Sequence, residues 1–316
     1  MNSNNSSAYD VVVVGGGAAG LSAGLVLGRS RRRVLIVDAG EPRNAPAAHM
    51  QGYLSRDGMP PAEFLAEGRR EVREYGVEIA DDRVTAVRPD GAGEFEVGLG
   101  NGRGVHARRV VVATGLVDDL PDVPGLAERW GRDVLHCPYC HGYEVRDQAF
   151  GVLASPVSGI HQALLITQWS KDVTLFLHTG PELSADDREK LDVAGVTVVE
   201  GAVSGLVVED DRLAGVRLAD GRVVPRSVLF VGAGTRPRDE LLEQLGADTR
   251  DTPFGPYPAV DADGRTSVPG VWAVGNATGP KVQVINAAAA GYQAGLTINN
   301  ELVLADIDAG VKSRRA

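Results

Sequence analysis

Two cysteines, the only ones among the 316 residues, lie two residues apart in the segment HCPYCHGYE at 136–144. Cys137 and Cys140 could form a redox pair, supply half of a zinc site, or pack together in the core. A structural zinc site needs four ligands, and the chain offers no second cysteine pair. His136 and His141 flank the thiols too closely in sequence to complete a tetrahedron easily. We therefore expect no metal ion here.

The same segment suits redox chemistry. Pro138 is typical of the first position of a helical turn, so the sequence predicts a turn that begins directly after Cys137. The N-terminus of a helix lowers the pKa of a thiol and makes thiolate available near neutral pH. The polar neighbours of the two cysteines also argue against a buried apolar pair.

The elements that must position these thiols belong to a chain long enough for two domains. It is 43% hydrophobic and 23% charged, with a formal net charge of −10. That charge argues against a nucleic-acid partner or an anionic membrane, which both require clustered positive charge. No stretch reaches the ~20 apolar residues that span a bilayer. The N-terminal residues lack the pattern of a secretory signal, and we expect a cytoplasmic protein.

A dinucleotide site is predicted near the N-terminus. An apolar strand (YDVVVV) leads into Gly15, Gly17 and Gly20, which have the G-x-G-x-x-G spacing, and a helical pattern follows. The first glycine permits a tight turn, the second lets a pyrophosphate approach the backbone, and the third allows close helix packing. A second strand, VLIVD, ends in Asp38, at the distance where an acidic residue meets a ribose hydroxyl.

Two later segments indicate that this dinucleotide is FAD. VVVATG at 110–115 is a buried strand with a small turn, and residues 266–295 combine the strand VWAV, a glycine turn with Asn276 and an alanine-rich helix. A helix lined by Ala and Gly lets a broad, flat group approach the backbone closely, which fits a flavin better than a nicotinamide.

In this order, the motifs resemble those of the low-molecular-weight thioredoxin reductases over nearly the whole chain. The resemblance implies an α/β fold with two Rossmann-like, doubly wound, three-layer domains. An FAD domain, built from residues 1–117 and 246–316, would carry an inserted, degenerate NADPH-type domain at 118–245 with the cysteines. The family usually has Asp where this chain has Asn276, which can still hydrogen-bond ribityl or phosphate oxygens. The implied FAD-binding residues are Gly15, Gly17, Gly20, Asp38, Ala113, Thr114, Gly115, Gly275, Asn276, Gln283, Val284 and Ile285.

The second nucleotide site of that family is not recognisable here. After the strand at 149–154 only Gly159 remains, while Pro156 and Val157 occupy positions where bare backbone should meet a pyrophosphate. After the next strand, His178 and acidic residues stand where the family carries arginines for the 2′-phosphate. Arg188 alone is expected to be an exposed helical residue.

The segment HCPYCHGYE and the absence of a recognisable second nucleotide motif are together similar to a narrower branch of the family, the gliotoxin- and holomycin-type dithiol oxidases. The resemblance gives Cys140 the flavin-proximal role and Cys137 the exchange with substrate. His141 replaces an Asp of the reductases. Because neutral imidazole can remove a proton from an incoming dithiol near pH 7, we expect His136 or His141 to be the base, and the sequence leaves both open.

We therefore predict an FAD-dependent oxidase that closes a small-molecule dithiol into a disulfide and passes electrons to molecular oxygen, giving hydrogen peroxide. The alternatives are a disulfide reductase fed by NAD(P)H or a ferredoxin-type protein, and a flavin-holding protein without catalysis. The loop at 43–59 is expected to line the substrate pocket, and the family implies a homodimer. The sequence does not identify the dithiol.

Overall fold

The computed structural model describes residues 8–155 and 159–315, and the chain forms nineteen strands and seven α-helices there. Pro156 and Val157, named above for the second nucleotide site, lie outside the described residues. The strands are β1 Ala8–Val14, β2 Val34–Asp38, β3 Glu78–Asp81, β4 Val84–Pro89, β5 Phe95–Leu99, β6 Gly104–Val112, β7 Leu116–Asp119, β8 Val134–Leu135, β9 Phe150–Leu153, β10 Val173–Phe176, β11 Val196–Val199, β12 Val203–Glu209, β13 Arg212–Leu218, β14 Val223–Pro225, β15 Val228–Val231, β16 Gly234–Pro237, β17 Thr249–Thr252, β18 Gly255–Pro258 and β19 Val271–Ala273. The helices are α1 Ala18–Arg29, α2 Pro61–Glu74, α3 Pro138–His141, α4 Ile160–Ile166, α5 Ala185–Val193, α6 Glu240–Gln244 and α7 Val284–Arg315.

The chain divides into two compact units. The first takes the described residues of 1–43, 62–117 and 236–316, and the second takes 44–61 and 118–235. The chain therefore returns to the first unit at 236 and not at 246 as expected, because Leu241 and Leu242 of α6 are buried in the core of the first unit. Residues 44–61, expected within the FAD domain, join the second unit, where Pro46 packs against Gly131.

The first unit is built on a seven-stranded sheet in the order β3-β2-β1-β6-β5-β4, with β19 also paired to β6. β1, β2, β3, β6 and β19 run parallel, whereas β4 and β5 form an antiparallel hairpin at one edge. Successive residues of β1 point to opposite faces, so Val12 and Val14 enter one core while Val11 and Val13 enter the other. A buried parallel sheet needs both faces covered, which explains the continuous apolar run of β1.

The second unit is built on a five-stranded parallel sheet in the order β11-β10-β9-β15-β8. On one face, Ala163 and Ile166 of α4 and Leu191 of α5 complete a core. The opposite face packs against the antiparallel sheet β12-β13-β14, which contributes Leu213 and Val216. The expected α/β class with two Rossmann-like sheets is confirmed, although a β-sheet replaces the helices on this second face.

No helix among the described residues is both long enough and apolar enough to span a bilayer.

Candidate functional site

The carboxyl ends of the parallel strands meet at one edge of the first sheet, where α/β proteins bind dinucleotides. β1 ends before Gly15, whose φ is +107° and whose missing Cβ would fall 2.4 Å from the carbonyl oxygen of Ala113. Gly17 is the N-cap of α1, and a Cβ there would meet nothing within 4 Å, so its backbone faces open space. A Cβ on Gly20 would lie 1.9 Å from the Gly15 carbonyl oxygen. The turn thus has the bare cradle that a pyrophosphate requires.

Asp38 ends β2 beside this turn and is held by a basic residue that sequence reasoning missed. Arg69 of α2 donates to Oδ2 of Asp38 and, at 2.9 Å, to Oδ1 of Asp81 at the end of β3. Position 16 must also be a glycine for Asp38 to lie here, because a Cβ on Gly16 would be 2.6 Å from Asp38 Oδ2. Arg69 thereby fixes the carboxylate that the sequence assigns to a ribose hydroxyl.

β6 leads directly into Ala113, Thr114 and Gly115 at the same edge. The Thr114 hydroxyl donates to the carbonyl of Arg238 at 2.5 Å, and the Arg238 N–H donates to the Gly115 carbonyl at 3.0 Å. The Arg238 guanidinium also lies 3.5 Å from the Glu41 carboxylate. The contacts of Arg238 therefore join this turn to the segment that follows Asp38.

β19 contributes the third part of the edge. Gly275, with φ +69°, opens a 3₁₀ turn, and the Nδ2 group of Asn276 donates to the carbonyls of Gly279 and Val282, both at 3.1 Å. Carbonyl oxygens only accept, so these two partners require the amide nitrogen to face them. An aspartate could not make either bond, which gives a physical reason for Asn where the reductases have Asp.

The amide of Asn276 thus holds the loop that leads into α7. The backbone carbonyl of Gln283 accepts a hydrogen bond from the Ala287 N–H at 2.9 Å, and Val284 and Ile285 lie in the first turn of α7. A Cβ on Gly291 would lie 1.9 Å from the Ala19 carbonyl oxygen, so the small residues of α7 serve close packing against α1. The alanine-rich helix therefore has a packing role as well as its predicted role in flavin binding.

The second unit carries the thiols. Cys137 and Cys140 form a disulfide with their Cα atoms 5.3 Å apart. Cys137 caps α3, and Pro138 occupies its first turn as predicted. With four residues, α3 is too short for a large macrodipole, so the predicted lowering of the thiol pKa by a helix must be small.

The two histidines differ in their surroundings. Nδ1 of His136 lies 3.1 Å from the carbonyl oxygen of Val231, so Nδ1 carries the proton and Nε2 is left as the acceptor. Both ring nitrogens of His141 are buried and make no well-formed hydrogen bond among the described residues, although the Cys137 carbonyl lies close to the ring. Burial lowers the pKa of His141, although the Glu144 carboxylate and the Cys137 carbonyl oppose the shift. His141 is therefore a neutral imidazole at pH 7.

The second sheet lacks the features of a nucleotide site at two described positions. Gly159, with φ +141°, precedes α4, and a Cβ there would lie 2.8 Å from Cβ of Ala154. This glycine serves local packing against Ala154. After β10, Nδ1 of His178 accepts from the Val203 N–H at 3.0 Å, and burial lowers the pKa of His178, so no cation stands there.

The basic residues that follow His178 are paired. Arg188 lies 3.3 Å from the Glu200 carboxylate, and Lys190 forms an ion pair with Asp186. Arg188 is exposed, as expected from the sequence. Neither side chain offers an unpaired charge to a 2′-phosphate.

Comparison with known proteins assigns the family. The pyridine nucleotide-disulphide oxidoreductase family matches residues 9–295. The chain belongs to this family. This oxidoreductase is 33% identical to thioredoxin reductase sirT of Leptosphaeria maculans over 322 residues, which cover 97% of the chain and 98% of the relative.

Solved structures agree with this assignment. The chain shares 51% sequence identity with HlmI, whose crystal structure superposes with a TM-score of 0.92. The match covers 99% of this chain and 98% of HlmI. An oxidoreductase from Agrobacterium tumefaciens is 37% identical with a TM-score of 0.88, covering 94% and 99%. The prediction of a flavin-dependent, thioredoxin reductase-like disulfide oxidoreductase is confirmed.

Proposed function

We propose that this oxidoreductase uses FAD to oxidise a small-molecule dithiol to an intramolecular disulfide, with molecular oxygen as the electron acceptor. The observation that carries the proposal is the pairing of a redox disulfide with an eroded nucleotide site. Cys137 and Cys140 can accept two electrons, whereas Gly159 and His178 serve packing and a backbone hydrogen bond in the second unit. In this proposal a reduced substrate supplies the electrons in place of a nicotinamide.

The bare turn at Gly15 and Gly17 fits the pyrophosphate of FAD, and Asp38 and Asn276 stand at the neighbouring strand ends. When bound, the flavin would take two electrons from the cysteine pair and pass them to oxygen. We keep Asp38 and the residues of the β6 and β19 turns as the proposed FAD contacts.

The thiol chemistry falls to the second unit. We assign the base to His141, because its neutral imidazole makes no well-formed hydrogen bond and can accept a proton from a substrate thiol. The thiolate attacks Cys137 and displaces Cys140 as a thiolate. The second substrate thiol then attacks the mixed disulfide, which releases the cyclic disulfide and leaves both cysteines reduced. The substrate loses two electrons and two protons.

Reoxidation closes the cycle. Cys140, the flavin-proximal thiol by resemblance, and Cys137 give up two electrons and regain their disulfide. Oxygen takes up these electrons with two protons and becomes hydrogen peroxide. A homodimer remains a proposal from family resemblance.

Similarity to thioredoxin reductase sirT favours a second candidate, a reductase that takes electrons from NAD(P)H. One experiment separates the two candidates. The yellow holoenzyme is mixed under nitrogen with NADPH, NADH or a small dithiol, and the flavin absorbance is followed. We expect bleaching by the dithiol alone, and bleaching by NADPH would refute the oxidase.

Replacement of the substrate-facing thiol tests the mechanism itself. Cys137→Ser should remain yellow but consume no oxygen with a dithiol, because no mixed disulfide can form. Full turnover by this variant would remove Cys137 from the mechanism.

A further inference from the structure

The side chain of Gln162, on α4, contacts the segment that carries the cysteines. Its Nε2 group donates a hydrogen bond to the carbonyl oxygen of His136 at 2.7 Å, and His136 is joined directly to Cys137. The ring of His136 is held separately, with Nδ1 3.1 Å from the carbonyl oxygen of Val231. Contacts from α4 and β15 therefore fix the residue that precedes Cys137.

The other half of the Gln162 amide has no partner. Its Oε1 atom is buried and accepts no hydrogen bond among the described residues. A buried acceptor without a donor is costly, and such atoms are rare in folded proteins. Turning the amide over does not help, because Oε1 would then face the His136 carbonyl oxygen and both atoms only accept. The disulfide form of the protein therefore has an unfilled acceptor next to the residue that precedes Cys137.

Reduction of the disulfide creates the missing kind of donor. Two electrons and two protons convert the Cys137–Cys140 bond into two thiols, and an S–H group is a weak donor. Since Oε1 and Nε2 are bonded to one carbon, Oε1 lies within about 5 Å of the His136 carbonyl oxygen. The side chain of Cys137 begins one residue further on and regains rotation about χ1 once the S–S bond is broken. Its thiol can then turn toward the amide.

We infer that Oε1 of Gln162 accepts a hydrogen bond from the Cys137 thiol in the reduced protein, and that Gln162 thereby makes the disulfide easier to reduce. The cost of the unfilled acceptor falls on the oxidised form alone, whereas the bond from Nε2 to His136 is present in both forms and cancels. The inference goes beyond the proposed function, because the cysteine pair must take up two electrons in an oxidase and in a reductase alike.

The test measures the equilibrium between disulfide and dithiol in the holoenzyme. The protein is equilibrated under nitrogen with mixtures of reduced and oxidised dithiothreitol, and an alkylating reagent then traps the thiols. Because the chain has no other cysteines, the mass shift reports the reduced pair directly. We expect Gln162→Leu to lower the equilibrium constant for reduction about tenfold, which is about 30 mV for a two-electron couple. Gln162→Met, which is unbranched like glutamine, should give the same result and serves if the leucine variant does not fold.

The matched control is Thr174→Val in β10 of the same unit. Oγ1 of Thr174 is also buried without a partner among the described residues, so this variant removes an orphaned polar atom from the core of the sheet. It should leave the equilibrium constant unchanged. A lower constant in the Gln162 variants alone supports the inference. An unchanged or higher constant in those variants, or an equal fall in Thr174→Val, would overturn it.

The infrared S–H stretching band of the reduced protein gives a second measurement. A hydrogen bond lowers the frequency of this band, so the band should move to higher frequency in Gln162→Leu, and an unmoved band would contradict the inference. Neither measurement requires oxygen or turnover of a substrate. A holoenzyme that consumes no oxygen with any dithiol would refute the oxidase proposal, while the thiol equilibrium would still decide on Gln162.

Discussion

Replacement of His141 by leucine should stabilise the protein while it removes the base. Both ring nitrogens of His141 are buried without a well-formed hydrogen bond among the described residues. A buried polar atom that lacks a hydrogen bond costs about 1–3 kcal/mol. Leucine has a similar volume and no polar atom, so we expect the free energy of unfolding to rise by about 1–2 kcal/mol, after allowance for imperfect packing. For a chain of this size, that gain raises Tm by roughly 2–6 °C.

The same substitution should slow the reaction of the dithiol with the Cys137–Cys140 disulfide. General base catalysis contributes about 10²–10⁴-fold, and His141→Leu should lose that factor. Because burial lowers the pKa of His141, the wild-type base loses its proton at a lower pH than an exposed histidine does, and the rate should depend less on pH above neutrality. In His141→Leu the rate must follow ionisation of the substrate thiols, and should rise about tenfold per pH unit below a pKa of ~8.5.

The assay is anaerobic stopped-flow bleaching of the flavin by a small dithiol, with Tm of the holoenzyme measured beside it. His161→Leu is the matched control, because His161 is exposed. His136→Asn keeps a donor for the Val231 carbonyl but removes Nε2, and it should react much faster than His141→Leu. A lower Tm for His141→Leu would show that its nitrogens have partners in the holoenzyme. A near-normal rate for that variant, with a 10²-fold loss in His136→Asn, would make His136 the base.

Three further outcomes follow from the contacts. Asn276→Asp should lower flavin affinity about tenfold or more, since a carboxylate cannot donate to the two carbonyls that the amide now binds, and the ratio of flavin to protein absorbance after dialysis measures this. Arg69→Ala should weaken flavin binding several-fold by freeing Asp38, whereas the exposed neighbour in Arg70→Ala should have no effect on the same dialysis. Burial lowers the pKa of His178, so the unfolded chain binds the proton more readily and stability should fall as pH drops below about 6.5. His178→Asn, which can still accept the backbone hydrogen bond, should flatten that dependence in denaturant titrations across pH 5–7.

The turns at the carboxyl edge of the first sheet could be predicted from the sequence, because each depends on residues that lie close together in the chain. A glycine that needs positive φ, as Gly15 does, and an acidic residue at a strand end, as Asp38 is, leave visible patterns within a short segment. Parallel strands then bring the ends of β1, β2, β6 and β19 to one edge, whatever lies between them in the chain.

The features that sequence reasoning missed depend on packing between distant segments. Arg69 lies 31 residues beyond Asp38 on a helix whose pattern says nothing about its partner. Leu241 and Leu242 place α6 in the first unit, but a short amphipathic helix near a boundary could join either core. The burial of both ring nitrogens of His141 likewise arises from tertiary packing. The sequence showed only that His141 follows Cys140.

The proposed loss of a nicotinamide site involves more than the loss of glycines from a motif. Gly159 uses its missing Cβ for contact with Ala154, and Gly180 uses the same space, since a Cβ there would lie 2.7 Å from the Ala154 side chain. His178 is engaged with the backbone of β12 through the Val203 N–H. These groups now stabilise the second unit, so an arginine at 178 would break a partly buried hydrogen bond before it could bind a phosphate. If the proposed oxidase is correct, a single substitution should therefore not produce reduction by NADPH, because several groups of this unit would have to change together.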